Sequence, residues 1–245
     1  MIKIILFDID NTLIDHTAAE NKAISWIHDE YFKQSISLID FHNMWLEKTK
    51  KNWRLFEQKK ITFTEQQTQR IQDVWKSLGN KVDKKTARNI FDEYLSEYEK
   101  AWKTFKGVED LLSSLENVGI LSNGNLTQQL KKLQAANLLK FFDQKNIFTS
   151  EEIGIAKPDQ KLFSYIKEKL KLKNNEILYV GDKLGYDIKP ALKEGWNAIW
   201  IDHYNIFRNR NYEKVKNIKE LKSLLEKYGN NLFCNNGINS PFINK

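Results

Sequence analysis

The stretch Ile2-Lys3-Ile4-Ile5-Leu6-Phe7-Asp8-Ile9-Asp10-Asn11-Thr12-Leu13 decides how the rest of the chain is read. Through Phe7 it is a short apolar run stopped by a carboxylate, which predicts a buried strand. Asp8 and Asp10 follow. In an extended segment, residues two apart point to the same face, so both carboxylates aim at one place. A single strand has nothing to pair with, so its partners must come from elsewhere in the sequence.

They come after Gly107. Helix 107–116 precedes strand 118–121, helix 126–137 precedes strand 146–149, helix 159–171 precedes strand 176–180, and helix 187–194 precedes strand 198–201; a last helix spans about 217–228. Short apolar strands alternating with amphipathic helices predict an α/β fold with a doubly covered parallel sheet. Residues 17–104 differ. They carry no convincing strand, no Pro and a single Gly, Gly79, yet hold five of the seven Trp: Trp26, Trp45, Trp53, Trp75 and Trp102. That block reads as several helices, with Phe41, Trp45, Trp53 and Phe56 expected on one packed face. The domains are therefore expected at 1–14 with 106–228 (the sheet), 15–105 (an inserted all-helical domain) and 229–245 (an Asn-rich tail).

Composition narrows the classes. Hydrophobic residues make up 41% of the 245, too many for a disordered chain. No apolar run approaches the ~18 residues of a membrane span, and the apolar start meets Asp8 too early for a secretory leader. One cysteine, Cys234, cannot form an internal disulfide, so a cytoplasmic location is expected. The net charge of +7 admits nucleic acid or an anionic substrate as partner. By segment it is −1 over 1–14, +2 over 15–105, +3 over 106–210 and +3 over 211–245. No segment carries a dominant basic face. Lys48, Lys50, Lys51, Arg54, Lys59 and Lys60 could clamp an anion, but Lys50, Lys51 and Arg54 lie opposite the aromatic face and read as a solvated surface. No nucleic-acid or membrane partner is expected.

In open parallel sheets, ligands bind beyond the carboxyl ends of the strands. Asp8, Asp10, Asn11 and Thr12 follow the first strand, and Ser122, Asn123 and Gly124 the second. The third leads through Glu151 and Glu152 to Lys157-Pro158. Gly181, Asp182, Gly185 and Asp187 follow the fourth. Carboxylates gathered there repel one another unless a cation or shared protons compensate. Oxygen-only donors without His or Cys point to Mg²⁺ rather than Zn²⁺. A hydroxyl, an amide and one Lys beside that metal suit a tetrahedral oxyanion, most naturally phosphate. His16, His28, His42 and His203 have no ligand-like spacing.

Asp8-Ile9-Asp10-Asn11-Thr12-Leu13, Leu121-Ser122-Asn123-Gly124, Ala156-Lys157-Pro158 and Gly181-Asp182 with Asp187 stand in the order of the four motifs of the haloacid dehalogenase superfamily. The chain resembles that superfamily from residue 1 to about 228, and its insertion resembles the subclass I cap. The resemblance implies a Rossmann-like core. It implies Asp8 as nucleophile and Asp10 as general acid and base. Ser122 and Lys157 would complete the catalytic set, and Thr12, Ser122, Asn123 and Lys157 would contact substrate. Mg²⁺ would be held by Asp8, the Asp10 carbonyl and Asp182, with Asp187 a water-mediated ligand or, preferably, a support behind the ligands.

The true dehalogenases lack an acid at the position of Asp10, so a phosphatase of a small phosphomonoester is expected. Residues 150–163 and Ser122-Asn123-Gly124 with Gln128 look most like the branch that includes pyrimidine 5′-nucleotidases, which makes a nucleoside 5′-monophosphate the first candidate. Trp53 stacking on a base would fit such a substrate. A sugar-phosphate phosphatase, a phosphomutase and a non-catalytic phospho-ligand binding protein are the alternatives, in a monomer or homodimer. Lys106 stands where the branch usually has Pro, and the stretch from Gly107 to Ser122 is a few residues short.

Overall fold

The computed structural model describes residues 1–206, 211–229 and 232–234. The chain divides into two compact units, Met1–Asp15 with Lys103–Lys245, and His16–Trp102. The first is built on β1 (Ile4–Phe7), all four residues of which are buried. A strand buried on both faces needs neighbours along both edges for its backbone groups. They are β2 (Val118–Ser122) and, beyond β3 (Ile147–Thr149), β4 (Ile177–Gly181). Ile5 registers with Val118 on one side and Leu178 on the other. β5 (Asn197–Ile201) and β6 (Lys214–Val215) extend the β4 side. The result is a six-stranded parallel sheet of order β3-β2-β1-β4-β5-β6. The order reverses between β1 and β4, so a crevice opens there at the carboxyl ends of the strands. This is a Rossmann-like α/β core with an inserted helical cap.

The His16–Trp102 unit is a ring of four helices: α1 (His16–Tyr31), α2 (Leu38–Glu57), α3 (Phe63–Ser77) and α4 (Lys84–Lys100). Ser37 and Asp83 cap α2 and α4, and Thr62 with Glu65 forms a capping box on α3. Phe41 and Trp45 are fully buried. The ring of Trp45 lies 4.6 Å from that of Tyr94, and the Arg70 guanidinium stacks near Trp45 and Phe91. The expected common face of α2 stops there. At ~100° per residue, Trp53 is turned well away from Phe41, and the third buried residue of the helix is Asn52. Asn52 donates to Asp73 at 2.8 Å. Trp53 packs instead in a half-buried cluster with Phe56 and Phe63 and donates to Glu57. Lys50, Lys51 and Arg54 are exposed.

Among the described residues, six further α-helices belong to the sheet unit: α5 (Val108–Ser114), α6 (Leu126–Ala135), α7 (Ser150–Ile153), α8 (Gln160–Leu170), α9 (Lys189–Glu194) and α10 (Ile218–Tyr228). Ile4 and Leu6 of β1 join Phe163 and Ile166 of α8, Ala191 of α9 and Trp196 in one apolar cluster. A π-type turn over Leu184–Ile188 leads into α9, where the sequence pattern had suggested helix from 187. The two-residue β6 has no counterpart in the sequence pattern. Within the expected tail, residues 232–234 run against the end of α5: Glu116 donates to the Leu232 carbonyl and Cys234 to that of Ser114. The remainder of 230–245 lies outside the described residues. No helix among the described residues is long and apolar enough to cross a membrane.

Gly119 is a tight point of the sheet. A Cβ there would sit 2.6 Å from the Asn146 carbonyl oxygen and 2.7 Å from Leu6 Cδ2. Gly119→Ala is expected to destabilise the protein by about 1–3 kcal/mol through overpacking, read as a lowered urea midpoint. An unshifted midpoint would show that the strand gives way at no cost.

Candidate active site

Asp8 continues β1, and its N–H donates to the Val180 carbonyl at 2.9 Å, so the sheet ladder fixes its backbone. The chain then turns sharply. The N–H groups of Thr12, Leu13 and Ile14 all converge on the Ile9 carbonyl, and Asn11 takes the left-handed conformation (φ 59°) that Asn tolerates. Asp8 ends 6% exposed. From the loop that follows β3 and α7 comes Lys157, 4% exposed. Its three ammonium protons meet three acceptors: Asp8 Oδ1 at 2.9 Å, Asp187 Oδ1 at 2.7 Å and the Tyr179 hydroxyl at 2.8 Å. Tyr179 in turn donates to the Leu121 carbonyl at 2.8 Å.

Asp187 has no oxygen left over. Its Oδ2 accepts the Lys183 N–H at 2.8 Å, and it does not cap the helix that follows. It packs so closely on the end of β4 that a Cβ on Gly181 would lie 2.6 Å from its side chain. Asp182 differs: its Oδ1 is buried and has no hydrogen-bond partner. One oxygen each of Asp8, Asp182 and Asp187 lies within 4.8 Å of the others.

Charge follows from this geometry. Burial raises the Asp8 carboxyl above its ordinary value; Lys157 offsets this in part, while Asp187 and Asp10 add to it. Burial, with Asp8, pushes Asp182 up to about 8. Burial alone would lower the Lys157 ammonium, but Asp187 and Asp8 overturn that and raise it, so it stays charged. Burial and the neighbouring carboxylates keep Tyr179 a neutral phenol. Two like charges 4 Å apart repel by roughly 4 kcal/mol at an effective dielectric of 20. Lys157 and Lys183 offset the three clustered carboxyls only in part, since Asp8 and Asp182 both stay raised, and the Asp182 carboxyl keeps an orphaned buried oxygen. These residues fit a hard divalent cation with oxygen ligands, commonly Mg²⁺.

The remaining residues singled out in the sequence take distinct places. Ser122, at the end of β2 and 2% exposed, accepts from Gln129 Nε2 at 3.3 Å. The Asn123 side chain clasps the Lys157 backbone at both groups: Oδ1 accepts its N–H at 2.8 Å and Nδ2 donates to its carbonyl at 2.9 Å. Thr12 is buried, and its Oγ1 has no hydrogen-bond partner. Asp10 Oδ1 lies 2.6 Å from Lys132 Nζ of α6. Sequence reasoning missed Tyr179, Gln129 and Lys132. Tyr179 left a trace as a residue with a polar tip inside an otherwise apolar strand. Gln129 left one by sharing a helical face with Leu133.

Comparison with known proteins agrees with the fold. The haloacid dehalogenase-like hydrolase profile matches residues 2–195, and the chain belongs to that family of enzymes. It is 30% identical to the HAD-hydrolase YfnB of Bacillus subtilis over 203 residues, covering 81% of this chain and 83% of the relative. The crystal structure of YfnB, bound to magnesium, superposes with a TM-score of 0.74 at 27% identity, over 92% of this chain and 99% of that one. The pyrimidine 5′-nucleotidase PynA of Streptococcus pneumoniae is 25% identical over 229 residues, 91% and 94% of the two chains. A glyceraldehyde 3-phosphate phosphatase of Methanocaldococcus jannaschii is 28% identical over 216 residues, 82% and 85% of the two.

The raised Asp182 carboxyl gives a pH signature. Between the ordinary carboxylate range and about 8 the native metal-free protein binds more protons than the unfolded chain, so its stability falls as pH rises through that window. A divalent cation takes the carboxylate form. Mg²⁺ binding at pH 7 is therefore expected to release protons, seen by titration calorimetry in buffers of different ionisation enthalpy. Asp182→Asn should remove that release. Proton-neutral binding by the wild type would contradict the assignment.

Proposed function

We propose that this hydrolase is a Mg²⁺-dependent phosphatase of small phosphomonoesters that works through an aspartyl-phosphate. The observation that carries the reading is the buried Asp8 at the end of the central strand, held by Lys157 and followed two residues later by Asp10. One Asp8 oxygen attacks phosphorus in line, the bond from phosphorus to the ester oxygen breaks, and Asp10 gives that oxygen a proton. Water then attacks the phosphorus of the acyl phosphate while Asp10 takes its proton, releasing inorganic phosphate and restoring Asp8. Lys157 supplies fixed positive charge beside the attacking oxygen, and Ser122 with backbone N–H groups near Asn123 would bind the phosphoryl oxygens. Asp8, the Asp10 carbonyl and Asp182 would hold Mg²⁺, with Asp187 steadying Lys157 behind them. When bound, the cation neutralises the repulsion between a carboxylate nucleophile and a phosphate dianion.

For the substrate, the similarity to PynA across 91% of this chain supports a nucleoside 5′-monophosphate. The similarity to a glyceraldehyde 3-phosphate phosphatase supports a second reading, a sugar or triose phosphate. Release of inorganic phosphate would distinguish either from a mutase.

The test is p-nitrophenyl phosphate turnover with Mg²⁺, followed by a screen of phosphorylated metabolites that includes pyrimidine nucleotides and triose phosphates. Turnover is expected to disappear with EDTA. Asp8→Asn is expected to cost at least about 10³-fold in kcat, since the covalent route is lost. A wild-type protein inert toward every phosphomonoester would refute the reading.

A further inference from the structure

Lys132 stands in an unusual place for a lysine. It follows Lys131 in α6, where a pair of lysines ordinarily faces water. Yet its side chain is 3% exposed, and its ammonium lies 2.6 Å from Asp10 Oδ1. Burying an ammonium is unfavourable unless a charge partner compensates. The partner here is 122 positions away in sequence and sits beside the reacting centre.

α6 brings a second contact to the same place. It starts at the Asn125 cap, directly after the Ser122-Asn123-Gly124 loop. One turn before Lys132, Gln129 Nε2 donates to Ser122 Oγ at 3.3 Å and to the Asn123 carbonyl at 3.0 Å. Residues three apart share a helix face. A single face of α6 therefore fixes the Ser122 loop through Gln129 and the Asp10 carboxylate through Lys132. The side chain of Asp10 is 24% exposed, against 8% for Asp8, so apolar packing confines it far less. It also stands next to Asn11, in the turn that leaves the sheet ladder.

We propose that Lys132 is a positioning residue that holds the Asp10 carboxylate in the direction acid–base catalysis requires. The proposal rests on the reading of Asp10 as proton donor to the leaving oxygen and acceptor from the attacking water. Lys157 anchors the nucleophile, and Lys132 anchors the group that moves the protons.

The experiment compares wild type, Lys132→Met, Lys132→Arg and Asp10→Asn with Mg²⁺ on p-nitrophenyl phosphate and on an alkyl phosphate. Methionine keeps the length of the side chain and removes its charge. Loss of positioning is expected to lower kcat by about 10²-fold, with KM within about twofold of wild type. p-Nitrophenolate leaves without a proton, whereas the water step still needs Asp10. Lys132→Met should therefore give a burst of one p-nitrophenol per enzyme as the aspartyl-phosphate accumulates, and Lys132→Arg should recover part of the rate. Wild-type kcat in Lys132→Met would overturn the proposal. So would a rise in KM or a rate loss without a burst, which would mark a substrate contact or a packing role. If Lys132→Met does not fold, Lys132→Gln carries the same readouts. If Asp10→Asn turns over like wild type, the acid–base reading fails and takes the proposal with it. An impaired Asp10→Asn beside an unaffected Lys132→Met would sink the proposal alone.

Discussion

The ammonium of Lys157 joins three parts of the chain that are distant in sequence. Its protons go to Asp8 beyond β1, to Asp187 in the turn after β4 and to Tyr179 inside β4. All four groups are buried, so none of these bonds can be exchanged for water without rearrangement. Removing one member of a buried ion pair leaves an uncompensated charge, at a typical cost of 3–5 kcal/mol. Much else in the core unit serves to put that nitrogen there. Asn123 grips the Lys157 backbone from the end of β2, and the missing side chain at Gly181 lets Asp187 lie against the strand.

The sheet order explains why these groups can meet at all. β1 is central, with β2 on one side and β4 on the other. The loops after β1 and β4 therefore diverge at the reversal point and leave a crevice between them. Asp8 and Asp182 stand at its two edges. The loop between β3 and α8 reaches in with Lys157, and α6 reaches in with Gln129 and Lys132. Asp8, Ser122 and Asp182 arrive at strand ends, where backbone groups no longer belong to a ladder, while Tyr179 reaches in from within β4 and Lys132 from the last turn of α6.

Much of this was legible in the sequence because the strands are continuous apolar runs. Ile4–Phe7 and Ile177–Gly181 are buried throughout, and a run buried on both faces carries its own signal. The carboxylates after them were legible for the same reason: a strand end fixes where its next residue goes. What was not legible depends on tertiary contact. β6 is two residues long and exists only because β5 offers an edge. Trp53 is expected from its spacing on one face with Phe41 and Trp45, but it lies about 120° from Phe41 at ~100° per residue and packs with Phe56 and Phe63 instead. Lys132 is indistinguishable from Lys131 by composition, and its burial is set by Asp10. Tyr179 reads as an ordinary strand aromatic until its hydroxyl is placed between Lys157 and Leu121.

The buried Asp8 carboxylate meets opposed demands. Folding favours its neutral form, because desolvation raises Asp8 and Asp187 and Asp10 raise it further. The attack on phosphorus proposed for it would need the anion. Lys157 alone tips the balance only in part, since it is shared with Asp187. The remaining surplus of negative charge falls on Asp182, whose buried Oδ1 no protein group satisfies. A proton on Asp182 is one answer to that surplus, since it removes one of the clustered charges. A cation is the other answer, and oxygen-only donors suit a hard divalent ion. The +7 carried by the chain is spread over its surface and does not supply this compensation. What sets the electrostatics around Asp8 is the local excess of carboxylates, not the global charge.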